Sequence, residues 1–391
     1  MTLRVMLVAA EASGDALGAG LACALKQRNP DIEFVGVGGS RMAAEGVESP
    51  FDIAELSILG IFEGLKAYPR VVRRADETAA LAVRTRPDVA VLIDSWGFTL
   101  RVARRLRRRL PDLPLVKYVG PQVWASRPGR AKTLAGAVDL LLALHRFDAP
   151  YFEAEGLPTV FVGSSALARD FSGADPARLR ADLAVDPGAP ILLVLPGSRP
   201  SEIERVLPPF IEAAGALLRE RPSLEVVLPV AGTVAAQVRQ AVAVLSKDWP
   251  KPPRLIEDET LKADAMVAAS AALACSGTVT TELALAGCPM VVGYRLGPLT
   301  YRVLKRLVTT PYVTLFNIAA GRMVAPELIQ DACTGPALAA AAAPLLDDPA
   351  ARRAQVEAQN DALEKMGRGG GDPAGRAADA VIDFLKQKGR L

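Results

Sequence analysis

The 391-residue sequence has one histidine, His145, and four widely spaced cysteines, Cys23, Cys275, Cys288 and Cys333, with no CxxC pair among them. Zinc sites need several such ligands at close spacing and disulfide frameworks need paired cysteines, so neither is indicated, and a reducing cytoplasm is the natural setting. Charge of one sign is also lacking. With 46 basic and 43 acidic residues the formal net charge is only +3, which gives no general polyanion-binding surface, and no nucleic-acid partner is expected. Long hydrophobic runs are missing as well. The most apolar region, residues 265–281, is cut by Ser276, Gly277 and Thr278, short of the ~20 apolar residues a spanning helix needs. The opening MTLRVMLVAAEASGD goes straight into a strand pattern, without the charged, apolar and small-residue succession of a secretory signal. A cytoplasmic protein, soluble or peripheral, is expected.

What the chain does have is core material and rhythm. Half of its residues are hydrophobic, and at roughly 150 residues per domain the length predicts two domains. Short β-branched runs alternate with longer Ala/Leu/Arg helical patterns: LRVMLVAA, IEFVGVGG, VAVLIDS, LVKYVGP, LLLALH and TVFVGS, then ILLVLPGSR, LEVVLPVAG, PRLIEDE, AALACSG and CPMVVGYR. This is the βαβ alternation of parallel sheets covered on both faces. Strand signals vanish over residues 165–190, where Pro, Gly and Asp accumulate, so the interdomain connection is placed there. The expected organisation is an α/β chain of two Rossmann-like doubly wound domains, 1–168 and 169–365. A helical tail, 366–391, follows the break RGGGDPAG and is free to pack back on either domain.

Four segments suit chemistry. In LVLPGSRPSEIE a strand ends at Pro196-Gly197-Ser198-Arg199 and a helix starts at once, with Ser201 and Glu204 in capping-box spacing. Free N–H groups and a guanidinium at a helix start make an anion site; a plain βα turn with a solvated Arg199 is the alternative. ALACSGTVTTELALAG sets Ser276-Gly277-Thr278 between strand and helix, with Glu282 a turn further on. Two such turns in one domain suggest a nucleoside diphosphate, with Glu282 accepting from ribose hydroxyls or simply lying on a solvated helix face. Asp94 ends the strand VAVLIDS, at the edge where open α/β sheets bind ligands. There a carboxylate either takes a proton from an attacking hydroxyl or caps the next helix. The opening AAEASGD turn places Glu11 and Asp15 where a phosphate cradle would want only backbone N–H groups.

Two further features are open to two readings each. Residues 56–74, LSILGIFEGLKAYPRVVRR, put Leu59, Phe62 and Leu65 near helical spacing, followed by Arg70, Arg73 and Arg74. That pattern suits contact with an anionic membrane surface or ordinary core packing. KYVGPQVWASRPGRAKTL places Trp124 among Arg127, Arg130 and Lys132, which fits a phosphorylated ligand or a surface turn. RRLRRRL at 104–110 reads as a solvated helix face, and His145 receives no role.

Together AEASGD with LGAGL, VGVGGSRMAAEG, LGIFEGL, KYVGPQVWA, LPGSRPSE, SGTVTTELALAGCPMVVGYR and NIAAGRMVAPELIQDACT resemble the lipid-A-disaccharide synthase family, in its order, across residues 5–335. The resemblance implies a glycosyltransferase B type fold and a metal-independent, cofactor-free inverting transfer. UDP-2,3-diacylglucosamine and 2,3-diacylglucosamine 1-phosphate would give a β-1,6-linked tetraacyl disaccharide phosphate and UDP. It implies work at the cytoplasmic face of the inner membrane, and makes a homo-oligomer plausible. By motif, Asp94 becomes the candidate base for the acceptor 6-hydroxyl and Arg199 the group that steadies the leaving diphosphate. Gly197, Ser198, Ser276, Gly277, Thr278, Glu282 and Asn317 fall in donor segments, while Glu11, Ser13, Gly14 and Asp15 form an acceptor-side loop facing the cleft opposite UDP. The sequence departs from the family pattern at Ser95-Trp96-Gly97-Phe98-Thr99, where APDFN is usual, and at Val162-Gly163-Ser164-Ser165, where a VGHP-like turn is usual. It also has VWASR for VWAWR. These departures bear on the acceptor. Two rivals stand beside this reading: a related UDP-sugar transferase or epimerase with another acceptor, and a catalytically silent nucleotide-sugar-binding protein.

Overall fold

The structure, a computed structural model, describes residues 2–56 and 61–391, apart from the side chains of 61–67, 299, 303 and 304. The chain divides into two compact units, Met1–Ser164 with Gly370–Leu391, and Ser165–Gly369. The first holds a parallel sheet of β1 (Arg4–Val8), β2 (Glu33–Val37), β3 (Val89–Ile93), β4 (Leu115–Tyr118), β5 (Leu140–Ala143) and β6 (Thr159–Phe161), in the order β2-β1-β3-β4-β5-β6. The second holds β7 (Ile191–Leu195), β8 (Glu225–Pro229), β9 (Arg254–Ile256), β10 (Ala271–Cys275), β11 (Met290–Tyr294) and β12 (Glu327–Ile329), in the order β12-β11-β10-β7-β8-β9. Every residue of β3, β7 and β10 is buried. Helices cover both faces of such a sheet, which is why these strands read as unbroken apolar runs.

The expected architecture is therefore present: among the described residues eleven strands lie where the sequence places them, with a twelfth that it does not. β12 is only Glu-Leu-Ile, pairing through three residues with β11 at the sheet edge, too short for a period to show.

The segment 165–190, read as the connection, is folded into the second unit. Its helix Pro176–Asp182 is fastened by Arg178, whose Nε and Nη2 donate to the two carboxylate oxygens of Asp264, both at 2.6 Å. Asp264 is fully buried and also accepts from the Asp175 backbone N–H at 2.7 Å. The C-terminal helix Pro373–Gln387 belongs to the first unit. Ala377, Ala378, Val381 and Leu385 share a core with Leu21, Ala22 and Leu25 of the helix Ala12–Arg28, and Arg28 pairs with Asp379.

Both sheets are doubly wound, and the winding fixes where ligands can sit. From β1 the chain steps outward to β2, then returns to β3 on the other side of β1. From β7 it runs outward through β8 and β9 before returning to β10 on the other side of β7. Beyond the carboxyl ends of β1/β3 and β7/β10 the following loops part in opposite directions, opening a crevice at each switch point.

Candidate active site

At the β7/β10 switch point a cavity of about 390 Å³ is lined by Gly197, Ser198, Arg199, Ser276, Gly277, Thr278 and Glu282, with the ends of β8 and β9 closing its far side. The volume lies at the small end of ligand pockets, ~300–1,000 Å³. Two sequence segments nearly eighty residues apart meet here because β7 and β10 pair directly, Leu195 beside Ala274.

The two turns are not equivalent. The helix after β7 spans Pro200–Glu220, so its cap is Arg199 rather than Ser201, and Pro200 fills the first helical position where a missing N–H is harmless. Its reciprocal partner is Glu202 instead of Glu204. Glu202 Oε2 accepts from the N–H groups of Ser198 and Arg199 at 3.1 and 3.3 Å, and the Arg199 Nη1 donates to its Oε1 at 3.3 Å. The N–H groups expected to be open to an anion thus already hold a carboxylate. Gly197 is required for this closure: it has φ +114°, and a Cβ there would meet Glu202 Oε2 at 2.4 Å. At the second turn the helix Thr278–Leu285 starts from Gly277 with no side chain capping it. This turn presents free N–H groups at the positive end of the helix, and Arg199, with its side chain 76% exposed, lines the same cavity.

The cavity is rich in carboxylates, but most are already partnered. Glu282 pairs with Arg169, Asp258 caps its own helix through Thr260 and Leu261 N–H groups, and Glu257 pairs with Arg239. Glu282 retains acceptor capacity for a hydroxyl beside Arg169. Among the described residues no group of three or more His, Cys, Asp or Glu is placed to hold a metal ion.

The β1/β3 switch point brings the opening loop to Asp94. Ser13 Oγ donates to Asp94 Oδ2 at 3.1 Å. Gly14 lets the helix start close over the strand ends: a Cβ there would lie 3.3 Å from the Ala9 Cβ and 3.7 Å from the Asp94 Cβ. Asp94 and Ser95 both take left-handed backbone, φ +48° and +38°, an unfavourable pair for residues with a Cβ. Beneath them lies Lys117 of β4, which donates to the Asp94 carbonyl and, at 2.9 Å, to Thr99 Oγ1. Burial pushes the Lys117 ammonium down to about 7, against the attraction of Asp94 and Glu11. The sequence signal for Lys117 was a lysine inside the apolar strand LVKY, which periodicity alone reads as a solvent-facing position.

The two acids of the opening loop separate in role. Glu11 is exposed and makes no capping bond, so it is available to a ligand. Asp15 is buried and turned inward, accepting from the N–H groups of Gly39, Arg41 and Met42 at 2.7, 3.1 and 3.0 Å. The expected acceptor contact at Asp15 gives way to a bracket that holds the short helix Ser40–Ala44. Asp15→Ala should leave these donors unpaired and destabilise the first unit by about 2–3 kcal/mol, seen as an earlier urea transition for that unit.

The lipid-A-disaccharide synthetase family model matches residues 5–380. A lipid-A-disaccharide synthase of Ruegeria pomeroyi is 45% identical, over 98% of this chain and 96% of its own. The chain belongs to the lipid-A-disaccharide synthetase family. Solved structures of similar fold include the glycotransferase of kitacinnamycin, with a TM-score of 0.62 at 16% identity, covering 98% of this chain and 100% of its own. Another is the S. aureus MnaA–UDP co-structure, with a TM-score of 0.61 at 14% identity, covering 100% and 98%.

Several other residues that the sequence singled out have no part in either switch point. Asn317 does not line the donor cavity. It is fully buried; its amide donates to Ala325 O and Glu327 Oε1 at 2.9 and 2.8 Å, and its oxygen accepts from Val324 and Ala325 N–H at 2.7 and 3.1 Å. All of its hydrogen-bonding capacity is used in clamping residues 324–327, so direct donor contact gives way to a structural role. Trp124 is a core residue rather than a ligand platform: it is buried, and its indole N–H donates to Asp148 at 2.8 Å. Burial pushes that Asp148 up to about 6. Leu59 lies outside the described residues, as do the side chains of Phe62 and Leu65. Arg70 and Arg73 are exposed, Arg73 lying 3.7 Å from Glu77, whereas Arg74 is largely covered, lies over the Phe51 ring and is tied to Glu55 and Glu77, which removes it from a lipid-facing set. In the 104–110 cluster Arg105 and Arg109 pair with Asp76, and Arg107 with Asp139.

Proposed function

We propose that the chain is the inverting glycosyltransferase that makes the lipid A disaccharide, with UDP-2,3-diacylglucosamine as donor and 2,3-diacylglucosamine 1-phosphate as acceptor. The observation that carries the reading, beside family membership, is the switch-point cavity of the second unit, where an uncapped helix start and Arg199 converge on one space. That is a seat for a diphosphate, with Glu282 a turn into the same helix for the ribose. The first unit supplies the base. The acceptor 6-hydroxyl attacks the anomeric carbon from the face opposite the diphosphate, its proton passes to Asp94, and the bond from the anomeric carbon to the β-phosphate oxygen breaks, releasing UDP.

Charge building on the leaving diphosphate is met by the Arg199 guanidinium and by helix N–H groups, so no divalent cation or other cofactor is called for. Both substrates carry acyl chains, which places the working enzyme at a membrane surface, the cytoplasmic face of the inner membrane, as a peripheral protein. No described helix is long and apolar enough to cross a bilayer. Exposed Arg70 and Arg73 suit anionic headgroups.

The test is to incubate the purified protein with both lipids in detergent and excess EDTA. Tetraacyl disaccharide phosphate and an equal amount of UDP are expected. UDP binding without product, or product that disappears with EDTA and returns with magnesium, would overturn the reading or its metal independence respectively.

A further inference from the structure

Among the described residues Lys117 is the only lysine or arginine that is buried, at 2% exposure. It lies on β4 opposite Leu92 of β3, on strands whose other residues are apolar or main-chain paired, and a methionine would fill the same space without desolvating a charge. Yet its ammonium is placed with care. It reaches the carbonyl oxygen of Asp94 and the hydroxyl of Thr99, and that hydroxyl itself bonds the carbonyls of Asp94 at 2.8 Å and Ser95 at 3.0 Å. Three groups from β4, from the end of β3 and from the helix Trp96–Arg109 are knotted under the two left-handed residues. Such backbone persists only where its surroundings over-determine it, and it commonly does so at functional sites.

We propose that Lys117 is the positioning residue for the candidate base: by holding the Asp94 carbonyl from below, it fixes the turn that presents the Asp94 carboxylate to Ser13 and the opening loop. The proposal rests on the reading of Asp94 as the base. It explains why a charge is kept where the fold would be better served by an apolar side chain. The titratable groups facing the ammonium are the carboxylates of Asp94 and Glu11, whose attraction partly offsets its burial. Thr99 completes its surroundings from the helix side.

Lys117→Met is the discriminating variant, because Thr99 still satisfies the Asp94 carbonyl and nothing polar is left unpaired. Its turnover should fall about 30-fold, within the range that misplacement of a reacting group produces, with KM for both lipids within about twofold of the parent. Stability should move the other way. An unfolded lysine keeps its proton up to its ordinary 10.5, while in the fold Lys117 gives it up at about 7. Between those values the unfolded chain binds the extra proton, so the burden of the buried lysine is full below pH 7 and disappears as pH approaches 10.5. The variant should therefore melt higher than the parent at pH 6–7, with the gap closing toward pH 10. Unchanged turnover, or turnover and melting temperature falling together at pH 7, would overturn the proposal. Full activity of Asp94→Asn, measured alongside, would instead remove the base reading on which it rests.

Discussion

Asp94→Asn is expected to lower turnover about 10³-fold, in the middle of the range for loss of a positioned general base, while UDP affinity stays within about twofold of the parent. The substitution is close to isosteric and leaves the turn intact. Lys117 and Thr99 bond the carbonyl of residue 94, not its side chain, and Ser13 Oγ at 3.1 Å from Oδ2 finds an amide in place of a carboxylate. What is lost is the capacity to receive the proton of the acceptor hydroxyl. One electrostatic consequence accompanies it. Asp94 is the leading charge that favours the Lys117 ammonium against burial, so the variant lowers Lys117 further below about 7. That shift is readable by direct titration of the lysine and is independent of activity. Steady-state kinetics with both lipids, together with UDP binding by calorimetry, checks the main effect. Equal loss of UDP affinity and turnover would show that Asp94 serves the fold and not the proton transfer.

The strands of this protein are legible because parallel strands buried on both faces leave continuous apolar runs, as in ILLVL and AALAC. The three-residue β12 leaves none. The two turns that line the cavity of the second unit were legible too, since each sets Gly and Ser between a buried strand and a helix start. Which of them is open was not. Glu202 is the third residue of its helix, and only the observed start at Pro200 aims its carboxylate back at the Ser198 and Arg199 N–H groups.

The same ambiguity governs the polar residues whose roles changed. Asp15 and Asn317 sit in segments that look functional, but a buried carboxylate or amide can serve backbone N–H groups as readily as a ligand, and the sequence does not say which. For Asp15 the decisive partners are 24 to 27 residues away, around Gly39. For Lys117 the partner is brought close only by the pairing of β4 with β3. Strand order, rather than composition, turned two scattered sets of residues into sites. Once β1 is known to neighbour β3, and β7 to neighbour β10, the loops that follow them must meet.

Arg199 carries the second large effect. Arg199→Met should lower turnover about 10²–10³-fold, comparable to loss of a principal donor to developing negative charge. UDP affinity should fall by no more than about tenfold, because an exposed guanidinium gains most when charge accumulates on the diphosphate and less in the ground state. The fold should not register the change. The side chain is 76% exposed, its only described ion pair is with Glu202, and the helix cap is made by backbone groups that the substitution leaves in place. Surface changes of this kind stay within about 0.5 kcal/mol. Arg199→Lys then separates charge from geometry: a lysine restores the positive charge but not the planar fork that can bridge two phosphate oxygens. It should recover part of the turnover, at most about tenfold over the methionine variant. Glu202 sharpens the comparison, since its carboxylate already occupies the N–H groups beside Arg199 and leaves the guanidinium and the uncapped Gly277 turn as the groups able to meet the phosphates. A methionine variant that binds UDP poorly yet turns over normally at saturation would assign Arg199 to ground-state binding alone.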